Sequence, residues 1–173
     1  MLILERSVTS SHSQELFDHI KHAEQAGRKC ELGRSGVFKL WNHDECDIYA
    51  IFKERSPVAW LYLERQRGWQ AWEVRQVFVL PEFRGRGYAT RLYKAAVNVN
   101  GIILASGKTQ SKTSRALWQR FIEQNTFNVW AHDFKDLSSC AEIVFDEGEL
   151  ICALPVYTRK QTRHDVRLIA IRK

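Results

Sequence analysis

The stretch Val77-Phe-Val-Leu-Pro-Glu-Phe-Arg-Gly-Arg-Gly-Tyr-Ala89 joins an apolar strand to the start of a helix, and it decides the fold. Pro81 cannot continue the hydrogen-bond ladder of a sheet, so the strand ends at Leu80. Gly85 and Gly87 permit positive φ angles and carry no side chain that would keep a ligand from the backbone, so several successive N–H groups can point at one anion. The first turn of the following helix adds unpaired N–H groups and the positive end of its dipole. The stretch therefore predicts a phosphate-binding loop that needs no metal.

The neighbouring residues exclude two commoner kinds of phosphate loop. The tripeptide Gly107-Lys108-Thr109 has the ending of a Walker loop, but Ile102 stands where that loop needs its first glycine. A dinucleotide-binding fingerprint needs a third glycine three residues after Gly87, where this chain has Thr90.

Hydrophobic periodicity on either side of the loop predicts a sheet with helices packed on it. Short β-rich runs with tight polar breaks favour antiparallel neighbours, and apolar residues at helical spacing favour three helices. The predicted strands are residues 2–8, 37–41, 47–52, 58–63, 69–80, 101–105, 127–132, 141–145, 149–154 and 166–171. One predicted helix begins within residues 10–14 and ends at Gly27, and the others are residues 87–98 and 113–124. The predicted class is α/β (α+β), with a mixed, mostly antiparallel central sheet flanked by helices.

Length and charge limit the class of protein. The chain has 173 residues and no long polar stretch that would divide it, so we expect one domain over residues 1–173. Its apolar start is too short for a signal-peptide core and no later run could span a membrane, which predicts a cytoplasmic protein. A net charge of +6 favours an anionic partner, and coenzyme A, nucleic acid and an acidic protein all remain open. Late basic residues form either a solvated edge or a nucleic-acid patch: Arg159, Lys160, Arg163, Arg167, Arg172 and Lys173.

Metal and disulfide chemistry is not indicated. His19 and His22 share a helix face without a third ligand nearby, so we expect no metal site. The four cysteines form no Cys-x-x-Cys motif and no close pair: Cys30, Cys46, Cys140 and Cys152.

The loop and its flanks resemble a known family. The pattern Arg84-x-x-Gly87-x-Ala89 after Val79-Leu-Pro-Glu82 is similar to motif A of the GNAT superfamily of N-acetyltransferases, and the order of elements resembles that fold over most of the chain. The resemblance implies that acetyl-CoA is the co-substrate, that Phe78 and Val79 pair with its pantetheine arm, and that an amine attacks the acetyl group directly in a ternary complex. It implies that the pyrophosphate is bound by the backbone of Arg84, Gly85, Arg86, Gly87, Tyr88, Ala89 and Thr90.

The chemical step requires an unprotonated amine, a donor to the developing oxyanion and an acid for the departing thiolate. The histone-acetyltransferase branch of the superfamily is similar in placing a glutamate base eleven residues before the loop, which makes Glu73 the first candidate for the base. The alternative is an exposed strand carboxylate paired with Arg75 or Arg67. The resemblance implies that the N–H of Val79 is the oxyanion donor.

Further along the chain, the resemblance to the family continues with two residues replaced. Ser111-x-x-Ser-x-x-Leu-Trp118 is similar to the family segment Asn-x-x-Ala-x-x-Leu-Tyr, so Ser111 and Trp118 are candidate cofactor contacts. Trp118 replaces the tyrosine that often protonates the thiolate, and an indole has no acidic proton to give near neutral pH. Three alternatives remain: the thiolate leaves unassisted, Tyr93 or Ser106 supplies the proton, or Trp118 only packs against the cofactor.

Two other functions remain open. Phage Mom-type proteins resemble a variant of this fold that modifies DNA adenine, and the basic charge together with the replaced tyrosine would suit that chemistry. The second open function is that of a binding protein that retains the fold but catalyses no reaction. The acceptor is undetermined among a small molecule, a protein and a nucleobase, and the C-terminal β region from Ala141 could pair with a second copy in a homodimer.

Overall fold

The computed structural model describes residues 10–40, 46–65, 70–107, 110–133, 140–142, 144–146, 149–151 and 166–173. Helices and strands follow one another in the predicted order along these ranges. The helices are α1 (Ser10–Gln25), α2 (Tyr88–Lys94) and α3 (Lys112–Glu123). The strands are β1 (Lys29–Glu31), β2 (Phe38–Leu40), β3 (Cys46–Lys53), β4 (Ser56–Arg65), β5 (Ala71–Val79), β6 (Ile103–Ala105), β7 (Asn128–Asp133), β8 (Cys140–Glu142), β9 (Val144–Asp146), β10 (Glu149–Ile151) and β11 (Val166–Ile171). The fold is the predicted mixed, mostly antiparallel sheet flanked by helices.

The first compact unit comprises Met1–Tyr62 and Gln76–Leu92. Its strand order is β1-β2-β3-β4-β5, with β1, β2 and β3 paired antiparallel. Helix α1 covers one face because its apolar residues recur at helical spacing. The core on that face comprises Leu16, Ile20, Ala23, Leu40, Ile48, Ala50 and Trp60.

The second compact unit comprises Leu63–Arg75 and Tyr93–Lys173. Its strand order is β5-β6-β11-β7-β8, in which β5 and β6 are parallel and β11 pairs antiparallel with both β6 and β7. Strands β9 and β10 form a separate two-stranded sheet. Four aromatic side chains pack edge-on or tilted against one another in this unit: Tyr93, Trp118, Phe121 and Phe127.

The second predicted helix is present but is not uniform. The α-helical part, α2, ends at Lys94, and the chain then forms one π-helical turn over Ala95–Val99. This turn brings Ala95, Ala96 and Val97 into the core. A π turn inserts one extra residue into the helical repeat, so it rotates the side chains that follow. Hydrophobic periodicity alone does not detect that insertion.

Two predictions of strand position differ from the structure. The single strand expected over residues 141–145 was wrong, since β8 and β9 occupy this stretch and pair with different partners. The short strand β1 was not predicted, because three residues are too few for a periodic pattern. The strand expected at residues 2–8 lies outside the described residues. No helix in the described part of the chain is long and apolar enough to cross a membrane.

Candidate active site

The predicted phosphate loop is built from the end of β5 to the start of α2. The backbone N–H of Leu80 donates to the Val58 carbonyl at 2.9 Å, after which Pro81–Phe83 form one 3-10 turn. Gly85 and Gly87 both have φ of +74°, the left-handed conformation that favours glycine. Nothing lies within 4 Å of the position that a Cβ would take at either glycine, so an anion can approach the backbone here.

Charged and aromatic side chains surround the loop. The Nε of Arg84 donates to the Val79 carbonyl at 3.2 Å, which ties the loop back to its strand. The guanidinium of Arg86 lies 5.7 Å from the centre of the Phe83 ring. The centres of the Phe83 and Tyr88 rings are 6.1 Å apart. Arg84 and Arg86 are exposed, whereas Tyr88 is buried. Two cationic side chains thus flank an accessible glycine backbone.

The last residues of β5 precede the loop directly. Phe78 is half-buried and stacks on Trp60 with ring centres 4.6 Å apart and 22° between the planes. Val79 is half-buried next to it, as are Ala89 and Thr90 at the other end of the loop. The Phe78 stack fixes the end of the strand on a fully buried tryptophan.

Glu73 lies in a network of charges in the second unit. Its side chain is 4% exposed, with Oε2 2.9 Å from Arg167 and Oε1 3.2 Å from Arg75. Arg75 is half-exposed and also contacts Glu64 at 3.1 Å.

This placement corrects two expectations. Glu73 is not the exposed carboxylate of the alternative interpretation, although its pairing with Arg75 is confirmed; Arg67 lies outside the described residues. Arg167 is not part of a solvated basic edge, because it is 8% exposed and bound to Glu73. Ile169 pairs with Ala105, which pairs in turn with Glu73, so the contact spans β6. Such a contact between distant segments has no local sequence signal.

The candidates for protonating the thiolate are buried. Trp118 and Tyr93 are each fully buried with their rings 5.9 Å apart at 87°, and neither polar atom makes a hydrogen bond of ordinary geometry within the described residues. Burial raises the pKa of Tyr93 far above its usual value, and the neighbouring Trp118 N–H offsets this only in part. The Ser106 hydroxyl accepts from the Leu168 N–H at 3.0 Å, and the Ser106 N–H donates to the Leu168 carbonyl at 2.8 Å next to the β6–β11 pair. Ser111 caps α3 by accepting from the Ser114 N–H at 3.1 Å.

Comparison with known proteins identifies the family. Residues 13–122, more than half of the chain, match the sequence profile described as "Acetyltransferase (GNAT) family". The chain belongs to the GNAT family of acetyltransferases. The matched segment contains strands β1 to β6, the loop and α3 up to Ile122, which accounts for the resemblance of the motif around Gly85 and Gly87.

Two solved acetyltransferase structures are similar to the chain at low sequence identity. An "IAA acetyltransferase from Bacillus cereus ATCC 14579" is 15% identical, with a TM-score of 0.41 over 73% of this chain and 77% of that one. An acetyltransferase of the GNAT family from Staphylococcus aureus Mu50 is 14% identical, with a TM-score of 0.42 over 98% of both chains. No curated protein sequence matches the chain. The family assignment therefore rests on the profile match.

A GNAT protein uses acetyl-CoA as co-substrate, and the loop of this chain fits its pyrophosphate. The fit depends on the open space at the two glycines and on the neighbouring guanidiniums of Arg84 and Arg86. Among the side chains that the structure describes, no group of three or more His, Cys, Asp or Glu residues could hold a metal ion. Sequence reasoning missed two contacts, that of Arg167 with Glu73 and that of Arg91 with Ser35, because each joins segments that are distant in the chain.

Proposed function

We propose that this GNAT protein is an N-acetyltransferase, which moves the acetyl group of acetyl-CoA to a primary amine by direct attack in a ternary complex. The observation that carries the proposal is the loop itself, in which two positive-φ glycines in open space alternate with two arginines just before α2. Such a loop holds a diphosphate by backbone N–H groups and cationic side chains. The family match does not support the Mom-type DNA-modifying alternative or the non-catalytic one.

The residues around the loop have separate roles in cofactor binding. The backbone of Arg84, Gly85, Arg86, Gly87, Tyr88, Ala89 and Thr90 binds the pyrophosphate, and Phe78 and Val79 pair with the pantetheine arm. Ser111 and Trp118 remain proposed cofactor contacts, with Ser111 at the exposed start of α3 and Trp118 in the core. The stack of Phe78 on Trp60 holds the end of β5 in place before the cofactor arrives, which lowers the entropy cost of binding.

The reaction forms one C–N bond and breaks one C–S bond. The lone pair of the neutral amine attacks the thioester carbon, the carbonyl electrons move to oxygen, and the N–H of Val79 stabilises that oxyanion. Collapse of the intermediate restores the carbonyl and expels the thiolate of coenzyme A. The proton released by the attacking amine goes to Glu73, the proposed base.

The departing thiolate needs no protein acid in this mechanism. Trp118 has no acidic proton, and burial makes Tyr93 a weaker acid than an ordinary phenol. A thiol has a pKa near 8.5, so a thiolate is a tolerable leaving group close to neutral pH and takes its proton from solvent.

Calorimetric titration with acetyl-CoA tests the cofactor site. Wild type is expected to bind, and Gly87→Trp is expected not to bind, because an indole would fill the space at the loop backbone. Gly101→Trp is the matched control: Gly101 has φ of +69° and equally open space but lies away from the loop in the chain, so this variant should bind as wild type does. Absence of binding by wild type would overturn the proposal.

A screen of amine acceptors, read as release of free coenzyme A thiol, tests the chemical step. With an acceptor found, Glu73→Gln is expected to lower kcat about 100-fold or more at unchanged KM for acetyl-CoA, since a missing base affects the transition state alone. Full activity of Glu73→Gln would remove Glu73 from the mechanism and leave the cofactor site standing.

A further inference from the structure

Arg91, in the first turns of α2, holds a turn that is 56 residues away in sequence. Its guanidinium donates to the carbonyl oxygen of Ser35, in the turn between β1 and β2. Arg91, Ser35 and the phosphate loop all belong to the first compact unit. Nothing in the sequence around Arg91 indicates this partner, because the contact exists only in the folded chain.

The turn that receives Arg91 has a well-defined internal structure. The Ser35 hydroxyl donates to the Leu32 carbonyl at 2.6 Å and accepts from the Val37 N–H at 3.1 Å. The Gly36 N–H donates to the Glu31 carboxylate at 3.2 Å. These bonds fix the direction of the Ser35 carbonyl, so Arg91 meets a positioned acceptor rather than a flexible loop.

Gly36 lies directly beside the guanidinium of Arg91, where a residue with a side chain would not fit. It has φ of +64°, and a Cβ at this position would lie 2.8 Å from Nη2 of Arg91, closer than real Cβ contacts come. A side chain at residue 36 would therefore both strain the backbone and displace the guanidinium. The absence of a Cβ at Gly36 is what permits the Arg91 contact.

Arg91 is also joined to the phosphate loop at two points. Its backbone N–H donates to the Gly87 carbonyl at 3.0 Å, which is the first helical bond after the loop. Its guanidinium lies 5.6 Å from the centre of the Tyr88 ring, and Tyr88 is a buried residue of the loop. One side chain thus connects the Ser35 carbonyl to a residue whose backbone is a proposed pyrophosphate ligand.

We propose that Arg91 is a positioning residue for acetyl-CoA: it fixes the phosphate loop by clamping Tyr88 and the first turn of α2 against the turn at Ser35 and Gly36. This inference rests on the proposed function, because it assigns a role in binding the same cofactor. Preorganised donors bind an anion more tightly than donors that must be ordered during binding. Loss of the clamp therefore weakens acetyl-CoA binding without removing any group that touches the ligand.

Calorimetric titration with acetyl-CoA tests the clamp from both ends. Arg91→Gln removes the guanidinium, and Gly36→Ala displaces it from the opposite side while leaving its charge in place. Each is expected to raise the Kd about three- to tenfold, the effect of losing one hydrogen bond and its stacking partner. The double variant is expected to bind no more weakly than the weaker single variant, because both changes break one contact.

Two matched controls separate the clamp from general damage. Lys94→Gln removes an exposed charge from the same helix, and Gly27→Ala places a Cβ at φ of +68° in open space, so both are expected to keep the wild-type Kd. Circular dichroism and thermal unfolding report whether each variant folds. If Gly36→Ala does not fold, the comparison of Arg91→Gln with Lys94→Gln decides the proposal alone.

The salt dependence of the Kd distinguishes positioning from a direct charge contact. If Arg91 only positions the loop, the Kd values of wild type and Arg91→Gln rise by the same factor between 50 and 300 mM salt. Over that range the Debye screening length falls by roughly a factor of two, so exposed charge contacts are weakened. A flatter salt dependence for Arg91→Gln would make it a direct phosphate ligand and overturn the proposal. An unchanged Kd in Arg91→Gln and Gly36→Ala would also overturn it, whereas failure of wild type to bind overturns the proposed function itself.

Discussion

At the scale of single residues, the buried contact between Glu73 and Arg167 contributes to the stability of the fold. Both side chains are nearly fully buried, so removing Arg167 takes away the buried partner of Glu73 and leaves the half-exposed Arg75 as a weaker partner of that carboxylate. We expect Arg167→Met to lower the free energy of unfolding by about 3 kcal/mol. Arg75→Met removes a half-exposed partner of the same carboxylate and is expected to cost less than about 1 kcal/mol. Urea unfolding at pH 7 measures both.

The double variant Glu73→Gln/Arg167→Met completes this test. The double variant is expected to lose less stability than the two single losses added together, because the second change acts on a contact that the first has already broken. Simple additivity of the two losses would contradict a direct energetic coupling between these residues.

Tyr93 gives a second prediction at this scale. Its pKa is raised by burial, so the folded protein binds its proton more tightly than the unfolded chain does. The associated stability is fully present below about pH 10, the value for an unfolded tyrosine, and is lost as the pH rises above it. Wild type should therefore lose stability more steeply above pH 10 than Tyr93→Phe, as measured by urea unfolding across pH. Parallel curves would show that Tyr93 ionises equally in both states.

At the scale of elements, the start of α3 shows how one side chain determines where a helix begins. The Ser111 hydroxyl accepts from the Ser114 N–H and so satisfies one of the unpaired donors of the first turn. Ser111→Ala is expected to cost about 1 kcal/mol in urea unfolding. Ser111→Asn, which restores a capping oxygen and matches the family residue, is expected to recover most of that loss. Equal stability of all three proteins would mean that the cap does not contribute.

Elements also differ in how far the sequence predicts them. Strands β3, β4, β7 and β11 lie within about two residues of the predicted bounds, because a continuous apolar run, or alternation in β7, extends over the full strand. The separation of β8 from β9 depends on which strand each one pairs with, and pairing is a long-range property. Strand β1, which pairs with β2, escaped prediction because three residues are too few for a periodic pattern.

At the scale of the whole molecule, the expectation of one domain over residues 1–173 has a direct test. The chain divides into two compact units, yet β4, β5 and α2 each continue from one unit into the other without a linker. We therefore expect a single cooperative transition, in which tryptophan fluorescence and far-UV circular dichroism give coincident curves in urea. Separate transitions would contradict the expectation.

Acetyl-CoA at 100 times its Kd should add about 2.7 kcal/mol to the free energy of unfolding.

The sequence by itself determined the class of fold and the loop that identifies the family. Both follow from local rules: the period of apolar residues, the break at Pro81, and the conformations that Gly85 and Gly87 permit. Only the tertiary structure decided that Glu73 is buried against Arg167, that Trp118 and Tyr93 lie in a core, and that Arg91 holds the turn at Ser35. These contacts join residues that are distant in sequence, and the burial and pairing of a charge depend on which segments the fold brings together.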